Sequence, residues 1–145
     1  MQLPHSLARL AGCCWLPRHV AKSRIFLRSE MPLSYRIAFG SRVGVDGYFF
    51  RHFGLRRAQM LAAIRARSDD AAVGDWFLQR PGVNPGRIAE WNRLAPLLGA
   101  EGHPGFRTRQ IVKWLLYPKS ITRPVGSIFS AIVQDEGLPA DPPAD

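Results

Sequence analysis

The sequence predicts an all-α fold: a compact multi-helix single domain with long irregular connections and a disordered, acidic and proline-rich C-terminal tail. Three observations predict it. Apolar residues recur at helical spacing along most of the chain, most cleanly as Val125, Ile128, Phe129, Ile132 and Val133. Helix start signals precede several of these runs, with Pro17, Asp46, Ser68 and Asn84-Pro85 in the expected places. No stretch alternates apolar and polar residues over the length of a strand.

Taken in order, Leu7, Leu10, Ala11 and Cys14 have the spacing of a first helix. Pro17 suits the first turn of a second, where a missing N–H costs nothing; this helix is expected to run through Arg28 with Leu16, Val20 and Leu27 inward. Residues 30–45, with Pro32, Gly40 and Gly44, read as a long loop. Asp46 is expected to cap a short aromatic helix, Tyr48 to Phe53, that stops at Gly54. Residues 56–67 form the next helix, with Met60, Leu61 and Ile64 inward and Arg56, Arg57, Arg65 and Arg67 toward water. Ser68 is expected to cap a helix over 69–80 that carries Asp69 and Asp70 at its positive end, and Pro81 and Gly82 end it. Asn84-Pro85 opens another helix with a buried stripe of Ile88, Trp91 and Leu94/Ala95. After an irregular connection rich in Gly and Pro come a helix over 107–117, the corner at Pro118 and the final helix. Residues 1–137 therefore read as one helical domain and 138–145 as the tail.

Composition excludes several classes. The chain has 145 residues, 46% of them hydrophobic, with four Trp and eight Phe, which is enough for one core without metal or disulfide. No run of 18 apolar residues exists, so no membrane span is expected. Cys13 and Cys14 are neighbours and cannot staple distant segments; a reducing, cytoplasmic setting fits, with both thiols acting as small apolar side chains. Arg9, Arg18, Lys22, Arg24 and Arg28 with no acid in the first 29 residues have the composition of an organellar presequence, and with no long apolar segment a secretory signal is not expected. His5, His19, His52 and His103 have no ligand spacing, and no phosphate loop, nucleophile elbow or paired-carboxylate spacing occurs, so neither metal nor cofactor is expected.

The distinguishing feature is charge. The formal net charge is +9, and it is uneven: nine basic residues against two acids between Trp15 and Arg57, and five bases with no acid between His103 and Arg123. Arg18 and Lys22 stand four apart on a predicted helix, so both heads share a face and can grip one anion. The same spacing equally suits a solvated face whose stems cover apolar neighbours. The expected function is binding of a small phosphate- or carboxylate-bearing ligand, with Arg18, Lys22 and Arg24 as one wall, Arg107, Arg109 and Lys119 as a second, and Tyr35, Tyr48 and Trp91 as apolar walls. Lys119, after Pro118, suits the C-terminal dipole of the preceding helix slightly better than a ligand.

Two other classes remain open. Non-specific nucleic-acid binding fits the charge, although no exposed aromatic ladder is evident. A small enzyme acting on an anionic substrate would use Lys22, Asp46 or His103 in acid–base or covalent roles, with Lys22 capable of Schiff-base chemistry if buried among cations. His19 and His52 read as packing or surface residues, and Asp46 first as a cap. The chain is expected to be a monomer or a homodimer.

Leu16-Pro17-Arg18 with Lys22 and Arg24, then Pro32-Leu33, Tyr35, Phe39-Gly40, Asp46-Gly47, Ser68-Asp69, Trp76, Trp91-Asn92 and Gly99, form an ordered series. Over roughly residues 7–100 it resembles the bacterial family of domain of unknown function 5069. The resemblance implies a small cytoplasmic helical protein with the Arg-rich N-terminus inside the fold, and no established activity or cofactor. Residues 101–137 then read as an added helical pair. Members of that family usually carry an acid directly before the lysine of the Lys-x-Arg pair; here the position is Ala21, so a carboxylate–lysine pair is expected to be missing and Lys22 and Arg24 to be freer for an external anion.

Overall fold

The computed structural model describes residues 2–33, 36, 39, 44–107, 127–129, 132 and 136. The protein is mostly helical, and its first element is not a helix. Arg9–Leu10 (β1) and Cys13–Cys14 (β2) form a short antiparallel hairpin with Arg9 opposite Cys14 and Leu10 opposite Cys13. Five α-helices follow among the described residues: α1 Leu16–Leu27, α2 Val45–Phe53, α3 Arg57–Arg65, α4 Asp70–Leu78 and α5 Pro85–Leu94, which runs into a 3-10 turn at Ala95–Leu97.

The hairpin corrects the expectation of a helix at Leu7–Cys14 and of a fold without strands. Ala11 and Gly12 have φ of 54° and 75°, the paired positive angles that two-residue hairpin turns need and a right-handed helix forbids. Helical spacing loses here to a distant partner. The Asn92 carboxamide on α5 accepts from the Cys14 backbone N–H (2.8 Å) and donates to the Gly12 carbonyl (2.8 Å), while Trp91 Nε1 donates to the Cys14 carbonyl (2.9 Å).

The helices follow the sequence reading with shifted ends. Pro17 lies in the first turn of α1, and the helix stops at Leu27, with Leu16 and Val20 buried and Leu27 partly so. Trp15, at the N-cap, has φ of 71°, a left-handed conformation that costs a non-glycine residue on the order of 1–3 kcal/mol. It is held there by its N–H, which donates to the Ser6 carbonyl (3.1 Å), and by its indole, which reaches Asp46.

Two predicted caps are corrected. Gly44, not Asp46, precedes α2; Asp46 sits within the first turn and turns inward, and α2 ends at Gly54 as expected. Asp69, not Ser68, caps α4, its carboxylate accepting from Ala71 N–H (3.0 Å). Asn84 caps α5 as expected, accepting from Arg87 N–H (2.9 Å).

In the long 30–45 connection, Leu33 and Arg36 have helical backbone, and most of the rest lies outside the described residues, as do the 107–117 helix beyond Arg107 and the tail. Of the final stripe, Ile128, Phe129 and Ile132 are helical and buried, and Val125 and Val133 lie outside the described residues.

The core centres on Phe49 of α2, whose ring lies 5.1 Å from Phe53, 5.4 Å from Trp91 and 5.8 Å from Phe77. Such pairs add about 0.5–1.5 kcal/mol each beyond area burial. α1 packs against α3 and α2 against α5, so the inner face of α1 meets the start of α2 beside this aromatic core. No described helix is long and apolar enough to cross a membrane.

Candidate functional site: a buried charged cluster on the Trp15 indole

Four residues project from the start of α1 at i, i+3, i+4 and i+7: Trp15, Arg18, His19 and Lys22. This spacing gives one helix face, and here that face is buried rather than solvated. Arg18, Lys22 and Asp46 are 2%, 5% and 1% exposed, which sets aside the reading of a solvated basic stripe.

Asp46 is the hub. Its Oδ1 accepts from Trp15 Nε1 (2.8 Å) and faces His19 Nδ1 at 2.9 Å, and its Oδ2 accepts from Lys22 Nζ (3.0 Å). An ionised carboxylate only accepts, so the His19 hydrogen on this side belongs to Nδ1. The other ring nitrogen, Nε2, faces Ser23 Oγ at 3.4 Å. The His19 ring is packed by Phe39, Phe49 and Phe50 at 5.7, 6.0 and 5.1 Å.

Lys22 Nζ stands 4.6 Å over the Trp15 ring and 5.8 Å from that of Phe39. Burial pushes the Lys22 pKa below its ordinary 10.5; the Asp46 charge acts against the shift and the Arg18 charge adds to it. A lysine ammonium so placed is a group from which a proton can be drawn at lower cost than from a solvated one.

Arg18 is the second pole. Its guanidinium lies 5.5 Å over the same Trp15 ring and holds the Glu136 carboxylate in a fork, NH1 donating to Oε1 (3.0 Å) and NH2 to Oε2. NH1 also donates to the Pro4 carbonyl (3.1 Å). Phe129 stacks on Trp15 with ring centres 5.3 Å apart. Two polar atoms in these elements, Arg18 Nε and Ser6 Oγ, are buried without a hydrogen-bond partner among the described residues, where such groups are normally satisfied.

The structure brings Arg18, Lys22 and Asp46 together and separates the rest of the predicted set. Arg24 points away, pairing with Asp70 (2.8 Å) and donating to the Arg67 carbonyl (2.9 Å), and so ties α1 to the start of α4. Tyr48 is half-buried under the Arg51 guanidinium, 4.7 Å from its ring. Trp91 is a core residue and hairpin clamp, not a pocket wall. Arg107 and His103 are exposed. Tyr35, Arg109 and Lys119 lie outside the described residues.

Trp15, His19 and Glu136 are members of the cluster that the sequence reading missed. The helical spacing of Trp15 and His19 with Lys22 was available as a signal; nothing local marks Glu136.

A family model described as a domain of unknown function, DUF5069, matches residues 2–111. The chain belongs to this family. No curated protein matches it. Within the DUF5069 span lie Trp15, Arg18, His19, Lys22 and Asp46; Phe129 and Glu136 come from beyond it. The carboxylate expected before Lys22 is indeed absent at Ala21, but Asp46 supplies one from α2. The expectation of an unpaired Lys22 and a free Arg24 is thereby corrected. Among the described residues no group of three or more His, Cys, Asp or Glu could hold a metal ion.

Proposed function

We propose that this DUF5069 chain binds a small anionic ligand between Arg18 and Lys22, with Asp46 and His19 fixing the lysine and Trp15 forming the floor. The observation that carries the reading is the Arg18 guanidinium: it is buried over an indole, one helical turn from a second buried cation, with its fork around a carboxylate. A planar fork of this kind recognises carboxylate or phosphate by two parallel bonds. Arg18 Nε, buried without a hydrogen-bond partner among the described residues, adds a further donor on the same guanidinium.

The test is thermal denaturation against a panel of small carboxylates and inorganic phosphate, for the wild type and for Arg18→Lys, which keeps the charge and loses the fork. A saturable rise in Tm in the wild type that Arg18→Lys loses supports the reading. No rise with any member of the panel, in protein shown to be folded, overturns it.

A second reading is favoured by one observation: Lys22, Asp46 and His19 are three titratable groups in direct hydrogen-bond contact. That arrangement suits proton transfer on a bound anion, with Lys22 and Asp46 in the roles the sequence suggested, and it predicts a bell-shaped rate profile for any turnover found. His103, exposed and without a hydrogen bond from its ring among the described residues, has no part in it. Non-specific nucleic-acid binding draws support from Arg56, Arg57 and Arg65, which are exposed and without ion pairs among the described residues; a steep salt dependence of affinity is its signature.

A further inference from the structure

The carboxylate in the Arg18 fork belongs to the protein itself, and this carries an inference that rests on the reading above. We infer that Glu136 is an internal occupant of a carboxylate subsite: the ligand of this site is a carboxylate that enters by displacing Glu136, and the C-terminal segment competes with it.

Several observations lead there. The fork, the indole and Lys22 all lie within the family-matched span, whereas Glu136 and Phe129 come from beyond it. The two cations of the cluster are treated differently. Lys22 is neutralised from within the matched span by Asp46, in a pair whose members are both almost fully buried. Among the described residues, the ion pair of Arg18 comes from the C-terminal side, from a Glu136 side chain that is 14% exposed.

The geometry of the occupant is also that of a ligand. Two carboxylate oxygens meet two guanidinium nitrogens, and the third nitrogen of Arg18, Nε, is buried without a partner among the described residues, so the glutamate does not use every donor. A free carboxylate is not tethered to a backbone and can shift to the other edge of the guanidinium, where Nε donates beside one terminal nitrogen. The charge of Glu136 is also felt at Lys22, where it raises the pKa, so an anion in the Glu136 position interacts with both cations.

Described contacts seat the segment that carries Glu136. Ile128 N–H donates to the Leu98 carbonyl (2.8 Å), Phe129 stacks on Trp15, and Ile132 is buried in the same core. Displacement of Glu136 is therefore expected to loosen these contacts, of which the Phe129 stack reaches the Trp15 floor itself. A ligand whose competent state is only partly populated binds with its affinity reduced by that fraction.

The experiment titrates malonate, with inorganic phosphate as the tetrahedral comparison, into full-length wild type and Glu136→Gln by calorimetry, with urea unfolding as the check on folding. Glu136→Gln keeps the side-chain volume and one acceptor and removes the charge. It is expected to bind malonate at least about tenfold more tightly than the wild type and to prefer it to phosphate. Equal malonate affinity in the two proteins overturns the competition and leaves anion binding standing; preference for phosphate overturns the carboxylate assignment. Binding of neither probe to either folded protein overturns the anion-binding reading itself.

Should Glu136→Gln fail to fold, hydrogen exchange on the wild type decides. Malonate is expected to speed exchange at the Ile128 amide while slowing it along α1. Unchanged exchange at Ile128 at saturating malonate contradicts displacement.

Discussion

Lys22 Nζ and Asp46 Oδ2 lie 3.0 Å apart, both almost entirely out of water, with a tryptophan indole hydrogen-bonded to the same carboxylate. A buried pair of this kind is held by reciprocity: the desolvation of each charge is offset only while the other is present. Asp46→Asn, which keeps an acceptor for Trp15 but removes the charge, is expected to cost about 3–5 kcal/mol in urea unfolding. Adding Lys22→Met to that variant is expected to restore part of the loss, because the uncompensated ammonium is gone. A double variant that loses the sum of the two single losses contradicts the pairing.

The same lysine sets a pH signature. Burial lowers its folded-state pKa below the 10.5 of the unfolded chain. Between those two values the unfolded state holds the proton that the native state has released, so the contribution of Lys22 to stability rises with pH across that window. The stability of the wild type relative to Lys22→Met is therefore expected to increase as pH approaches 10.5, measured by unfolding at a series of alkaline pH values. A difference that is flat or falls with pH contradicts the lowered pKa.

Asn92 acts at a distance on the hairpin that sets the start of α1. Its carboxamide satisfies the Cys14 N–H and the Gly12 carbonyl, and Asn92→Ala leaves a mostly buried backbone donor without a partner. The expected cost is about 2 kcal/mol, with the resonances of residues 9–14 perturbed first in an amide spectrum. A loss of stability without any change at the hairpin argues that Asn92 acts elsewhere.

Cys13 and Cys14 are buried, and burial raises both thiols, that of Cys14 to about 12. The thiolate is the reactive form, so both are expected to resist a thiol reagent near neutral pH until the protein unfolds. The check is the reaction rate against urea concentration, which is expected to follow global unfolding. Fast modification of either cysteine in native protein contradicts their placement.

Much of the architecture was legible in the chain because it was written locally. Pro17, Asn84-Pro85 and Gly54 mark helix ends through backbone geometry alone, and the structure keeps them. The failures share a cause. Leu7, Leu10 and Cys14 have helical spacing, yet the hairpin forms because Trp91 and Asn92, nearly eighty positions away, supply its hydrogen bonds. Asp46 has the composition of a cap, yet Trp15, His19 and Lys22 draw it inward.

The cluster was half visible. The i, i+4 spacing of Arg18 and Lys22 put both on one face, but spacing cannot say whether a face meets water or a core. That is decided by Trp15, Phe39 and Asp46. Arg24 departs from the predicted wall because nearness in sequence is not nearness in space. It stands six residues from Arg18, about 240° around the helix at 100° per residue, and meets Asp70 instead.

The central claim, a small anion gripped jointly by Arg18 and Lys22, is tested most directly by calorimetric titration of malonate and phosphate into wild type, Arg18→Lys and Lys22→Met. Saturable binding to the wild type that weakens by about tenfold or more in each variant is the predicted result. Binding that is unchanged in both folded variants, or absent from the wild type, contradicts it.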